Sequence, residues 1–237
     1  MSVAATSHSR FPLVFGLALT AVLLVGFGPS FFFRTWTGRP TLSVHLLVHG
    51  MAATAWFAVF ITQVVLAARG KLQWHRQLGM FGIAVAITFV VTGLQSTWSF
   101  ARQVAAQGHF VAANGSGETF VYWAIAVSMG GLVVFTGLLS TALYFRKRPD
   151  VHGRLMLLAT AGLLGPAAAR IALRFAPLPN PLLAFTSVFL IALIIRDIRA
   201  RGRPHIATIL GGIFENVTIV SFFLSGFGKW YYTLAAG

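Results

Sequence analysis

The side chains best suited to chemistry in this chain are a few histidines, arginines and carboxylates set inside long apolar runs. His45 and His49 are four residues apart, so on a helix they share one face. Trp56 and Gln63 fall near that same face. An imidazole pair at this spacing can hold one metal ion, with Glu215 or Gln95 completing the shell. In a second chemistry one imidazole is an axial haem ligand, and Arg170 and Arg174, again four apart, meet the propionates. A bis-histidine haem would need another axial His at that depth, and no other run supplies one. A quinone headgroup asks only for a His or Gln donor and an acid. Thr88, Thr92, Gln95 or Ser96, and Ser99 line one face of their run, and His49, Gln95 and Arg170 each lie roughly 8–10 Å inside one end of theirs. These groups are therefore expected to meet at one level.

Glu215 stands about 15 Å into the last run, near a bilayer centre, with Asn216 beside it and Thr208 on its face. It reads as the only carboxylate within the core of a run. Ionisable groups at such depth cost several kcal/mol and are functional candidates for that reason. Unpaired, the acid is expected to be protonated; paired with Arg170 or a histidine, it is charged. The competing reading of all these groups is polar glue between helices.

A second set sits at the opposite ends of the runs. His75, His152 and His205 each follow a basic loop and open an apolar stretch. Three converging imidazoles would suit Zn²⁺, or a haem iron in pairs. Equally, each is an ordinary interfacial side chain beside lipid head groups, and the neighbouring arginines disfavour an added cation. His75-Arg76-Gln77-Leu78-Gly79-Met80 parallels His152-Gly153-Arg154-Leu155-Met156, a trace of an internal repeat.

Positioning such groups falls to transmembrane helices. The 237 residues are 57% hydrophobic and 9% charged, far below the roughly 25% charge of soluble domains. Seven apolar runs are long enough to cross a bilayer, at 12–33, 42–68, 77–100, 119–145, 154–175, 181–198 and 205–228. The expected fold is an all-α polytopic transmembrane helix bundle forming a single domain, with seven spans, or six because 181–198 is short. The first run exceeds a signal-peptide core and reads as a retained span. Breaks fall at Gly38-Arg39-Pro40, Arg69-Gly70-Lys71, 113–118, Arg146-Lys147-Arg148-Pro149-Asp150, the Pro177/Pro179/Pro181 turn and 199–204. Ala161, Gly165 and Ala169 form a small-residue stripe suited to close helix packing.

There are 18 Lys and Arg against 4 Asp and Glu. Twelve of the basic residues fall on one side of this layout and six on the other, which predicts a cytoplasmic N-terminus. The clusters flank the runs and form no separate basic face, so the partner they imply is a lipid bilayer and not nucleic acid. Arg outnumbers Lys 15 to 3, which hints at a GC-rich bacterial genome, and the expected location is a bacterial cytoplasmic (inner) membrane. With no cysteine, thiolate metal sites and cysteine nucleophiles are excluded. No Walker loop, Ser-His-Asp order or zinc-protease motif is present.

The strings His45-x-x-x-His49-Gly50 with Trp56 and Gln63, Trp74-His75-Arg76-x-Leu78-Gly79, and His152-Gly153-Arg154-Leu155-Met156 together resemble a family of bacterial multi-pass membrane proteins. With Arg170 and His205 the resemblance spans about 42–205. It implies a membrane bundle and marks His45, His49, His75, His152, Arg154, Arg170 and His205, but it implies no reaction. More distantly, the leading His-x-x-x-His is similar to a small family linked to cytochrome oxidase assembly and to cytochrome b561-like bundles.

Three functions fit these residues. The favoured one is a redox or respiratory membrane protein that binds haem, a metal or a quinone through His45, His49, Gln95, Arg170, Arg174 and Glu215. The second is a proton-coupled transporter with Glu215 as carrier, for which Pro166 is the one mid-helix break. The third is an accessory subunit of a larger membrane complex.

Overall fold

The computed structural model describes residues 10–106, 117–175 and 181–237. His109, the loop at 113–116 and the turn carrying Pro177 and Pro179 lie outside them. Among the described residues every regular element is helical. Hydrocarbon offers the backbone no hydrogen-bond partner, so an apolar chain in lipid satisfies its amides within helices.

Among the described residues nine α-helices follow in order: α1 (Phe11–Phe27), α2 (Val44–Ala68), α3 (Leu72–Ala106), α4 (Gly117–Tyr144), α5 (Pro149–Ala161), α6 (Gly165–Phe175), α7 (Pro181–Arg201), α8 (Ile206–Leu224) and α9 (Phe227–Ala236). A π-helical turn at Gly28–Phe32 extends α1, and a single 3₁₀ turn at Gly162–Leu164 joins α5 to α6. Starts and stops follow local chemistry. Pro149 opens α5, where its missing N–H is no loss. The His205 ring caps α8 by accepting the Ala207 N–H. Gly226, at φ +70°, lets the chain turn from α8 into α9.

Six stretches are long and apolar enough to cross a membrane: Phe11–Phe32, Val44–Ala68, Leu72–Ala106, Thr119–Tyr144, Pro149–Phe175 and Ile206–Leu224. The expected seventh, 181–198, corresponds to α7, a 21-residue helix with Arg196, Asp197, Arg199 and Arg201 near its end; it is not one of the six. The last expected run also ends sooner, at Leu224, because Gly226 redirects the chain into the separate helix α9.

The broken α5–α6 unit is the most enclosed, with 78% of its apolar window buried against 28% for α2 and for α3. Its small residues explain this: Ala161, Gly165 and Ala169 are all buried, as the stripe predicts. Leu158 and Leu164 from this unit, Phe135 and Ile125 from α4, Leu19 from α1 and Leu193 from α7 form the centre of the core. Leu17, Met80, Phe81, Val91, Ile213 and Val217 are exposed on the outside, an apolar surface suited to lipid.

Glycines let neighbouring helices approach closely. A Cβ on Gly26 of α1 would stand 2.7 Å from the Ala167 Cα and 2.8 Å from its carbonyl oxygen on α6. Backbone cannot yield there as a side chain can. Gly26→Ala is therefore expected to lower stability by about 1–3 kcal/mol through overpacking, seen as a lower unfolding temperature in detergent. An unchanged melting profile would contradict this packing.

Candidate functional site

The structure separates the polar residues into four groups along the bundle. Two concern the basic end, where α3, α5 and α8 begin.

At that end Asp197 of α7 is fully buried and collects several donors. Arg154 Nε, on α5, lies 3.0 and 3.1 Å from its two oxygens, and Arg154 Nη2 adds a further bond to Oδ1. Thr208 Oγ1 on α8 donates to Asp197 Oδ2 at 2.6 Å, and the His205 backbone N–H reaches the same oxygen at 3.2 Å. Arg154 Nη1 also donates to the Asp150 carbonyl. His205 Nδ1 accepts the Ala207 N–H, so its proton sits on Nε2 and is donated to Asp150 Oδ2 at 3.0 Å. One carboxylate thus ties α5, α7 and α8 together. A second carboxylate besides Glu215 is thus buried, near the end of α7 and not in the core of a span. In the sequence Asp197 stands at the end of the 181–198 run among Arg196, Arg199 and Arg201, where it reads as charge at a membrane edge. Its partner is 43 residues away, and a lone acid within a basic cluster was the only clue.

Beside this network His75 and His152 meet. The His75 and His152 rings face each other edge to face, with centroids 6.3 Å apart. His75 Nδ1 donates to the Gln63 carbonyl at 3.3 Å, and Gln63 Nε2 donates back to the His75 carbonyl at 2.9 Å. His152 Nδ1 donates to the Ala142 carbonyl at 2.9 Å. Each histidine therefore clasps its own helix hairpin, α2–α3 or α4–α5. Among the described residues no group of three or more His, Asp or Glu is placed to hold a metal ion. The expected three-imidazole set does not form, because both ring nitrogens of His205 are already engaged by Ala207 and Asp150.

The upper polar level is also divided. His49 sits between α2 and α3, stacked on Phe89 at 4.7 Å. The Thr92 hydroxyl donates to the Thr88 carbonyl, so its oxygen accepts His49 Nδ1–H at 3.1 Å. Gly93 leaves the room this ring needs: a Cβ there would stand 3.2 Å from His49 Cε1. His45 lies one turn nearer the helix start, with Nε2 3.4 Å from Ser43 Oγ. Gln95 is exposed and makes no hydrogen bond among the described residues. Arg170 lies midway along α6 and Arg174 in its last turn; Arg170 Nη1 donates to the Pro166 carbonyl at 2.9 Å and its guanidinium covers the Phe27 ring at 4.4 Å. None of these groups bonds to another, so the single expected constellation is resolved into separate positions.

Glu215 stands alone, midway along the 19-residue α8. It is 0% exposed, and neither carboxyl oxygen has a hydrogen-bond partner. Neither Arg170 nor a histidine reaches it. Thr208, on its face, is engaged by Asp197 instead. Asn216 donates to the Gly212 carbonyl. Facing the acid is the 3₁₀ break: a Cβ on Gly162 would come within 3.6 Å of Glu215 Oε1. Pro166, four residues on, has no N–H to give the Gly162 carbonyl, so the helix loses its regular bond there. Burial with no partner favours the neutral acid over a bare carboxylate.

No protein-family model, curated protein or solved structure matches the chain.

The Asp197 clasp gives a direct test. Asp197→Ala leaves the Arg154 charge buried and unpaired, and is expected to cost about 3–5 kcal/mol. Replacing both partners, as Arg154→Met with Asp197→Leu, is expected to cost less than Asp197→Ala alone. Equal losses in unfolding experiments would mean that the ion pair does not bind these helices.

Proposed function

We propose that this multi-pass protein of the bacterial inner membrane is a proton-coupled transporter in which Glu215 takes up and releases the proton. One observation carries the reading: a fully buried carboxyl, with both oxygens unpartnered, faces the discontinuity between α5 and α6 at the middle of α8. Transporters commonly place their coupling ion near the bilayer midplane, beside an interrupted helix whose freed carbonyls face the site. A structural acid would be expected to hold a permanent partner, as Asp197 does. A carrier must be able to lose one. The assignment includes α7 as the seventh span and a cytoplasmic basic end, following the distribution of Lys and Arg.

A second reading keeps a redox group, a quinone or haem, against His49. It is favoured by the buried Trp56 Nε1 and Ser96 Oγ, which have no hydrogen-bond partner, and by the orientation of His49, whose Nδ1 bond to Thr92 leaves Nε2 to face a ligand. An absorbance spectrum and metal analysis of the purified protein separate the two. A Soret band or a bound quinone lost in His49→Ala would favour the redox protein.

For the transporter, a hydrophobic carbodiimide is expected to label Glu215 at neutral pH, since it reacts with protonated acids in an apolar setting. The label should block proton uptake into proteoliposomes driven by an imposed potential. Glu215→Gln should abolish both labelling and uptake. Uptake that persists in Glu215→Gln would overturn the assignment.

A further inference from the structure

We infer that the cleft where α1, the loop after it and α6 meet is a binding site for a phosphoryl anion. The cleft lies at the end of the bundle opposite the His75/His152 pair. It has a volume of about 320 Å³ and is lined by Gly26, Pro29, Ser30, Arg39, Arg170, Leu173 and Arg174. Three arginines, Arg39, Arg170 and Arg174, line this one cleft.

No ion pair among the described residues neutralises any of the three. The chain has four acidic residues. Asp197 is held by Arg154, Asp150 by His205, and Glu215 is buried beside Gly162 without a polar partner. Glu118 is the only other acid in the sequence. The protein thus gathers three positive charges in one cleft with almost no anion of its own to set against them. Like charges at close range are costly unless a counter-anion sits between them.

The guanidinium groups are also arranged. Arg170 is braced by the Pro166 carbonyl and the Phe27 ring, which leaves its other N–H donors open. Arg174 follows one turn later on α6. Arg34 is engaged elsewhere: it donates to the Ser30 and Pro40 carbonyls and so ties down the loop that carries Arg39. Thr37 donates to the Pro29 carbonyl, bracing the π-turn wall. Planar guanidinium forks match phosphate oxygens, and a phosphoryl group offers more acceptors to three forks than a carboxylate does. The position, at the ends of two apolar spans, is the level of lipid head groups. A lipid phosphate and a free phosphate both satisfy this chemistry.

The test uses the full chain in neutral detergent, with unfolding followed under two additions. One is inorganic phosphate against chloride at equal ionic strength. The other is phosphatidylglycerol against phosphatidylcholine, with co-purified phospholipid measured by mass spectrometry. Stabilisation by phosphate identifies a soluble anion; stabilisation by phosphatidylglycerol alone identifies a head group. Either is expected to weaken by roughly tenfold in apparent affinity in Arg170→Gln and in Arg174→Gln, the loss of one charge-assisted contact. Arg39→Gln, on the loop, gives the same readout without touching a helix. Arg146→Gln, at the opposite end, should leave binding unchanged. Absence of stabilisation by both ligands would overturn the site, and so would an equal loss in Arg146→Gln.

Discussion

The carboxylate of Asp197 is the contact on which the arrangement of this bundle depends. It accepts from the Arg154 side chain on α5, from the Thr208 hydroxyl on α8 and from the His205 backbone where α8 begins. Apolar faces alone attract one another weakly in lipid, since hydrocarbon solvates them as well as a neighbouring helix does. A directional cluster at one end therefore fixes the rotation and depth of α8. Seven residues beyond Thr208, on the same face, that rotation turns Glu215 inward against Gly162. The small residues Gly211 and Gly212 then let α8 close on Leu158 and Leu190.

The two buried acids of α7 and α8 are opposites in chemistry. Asp197 has its charge matched by a guanidinium and its oxygens filled by donors. Glu215 has neither, and it lies where the protein interrupts a helix. The difference comes from the chain around them: one sits where arginines are abundant, the other among Gly, Ala, Leu and Val. A protein that needed only glue at the bilayer centre had Asn, Ser or Thr available at lower cost.

Much of the fold was readable in the sequence because lipid imposes a length and a polarity on every span. Six of the seven expected runs correspond to stretches long and apolar enough to cross a membrane, and the described breaks fall at glycines, prolines and basic clusters. Of the three histidines expected to converge at the basic end, His75 and His152 do meet, while His205 is engaged by Asp150 and Ala207. Pro166 marked the break in the fifth run, where the 3₁₀ turn at Gly162–Leu164 separates α5 from α6. The sequence was silent where the outcome depends on how helices rotate against one another. Gln95 faces outward, His205 turns to Asp150, and Arg154 finds Asp197 across 43 residues. Depth along a helix can be counted from a sequence; azimuth in a bundle cannot, because it is set by packing of the other helices.

The most direct test of the account is the protonation state of Glu215 in the intact protein in lipid. Difference infrared spectroscopy between wild type and Glu215→Gln at neutral pH reads it without any assumption about substrate. The account requires a carbonyl stretch of a protonated carboxylic acid in an apolar setting, present in wild type and absent in Glu215→Gln. A carboxylate band in its place would show a charged Glu215 with a partner, and would contradict the proton-carrier role.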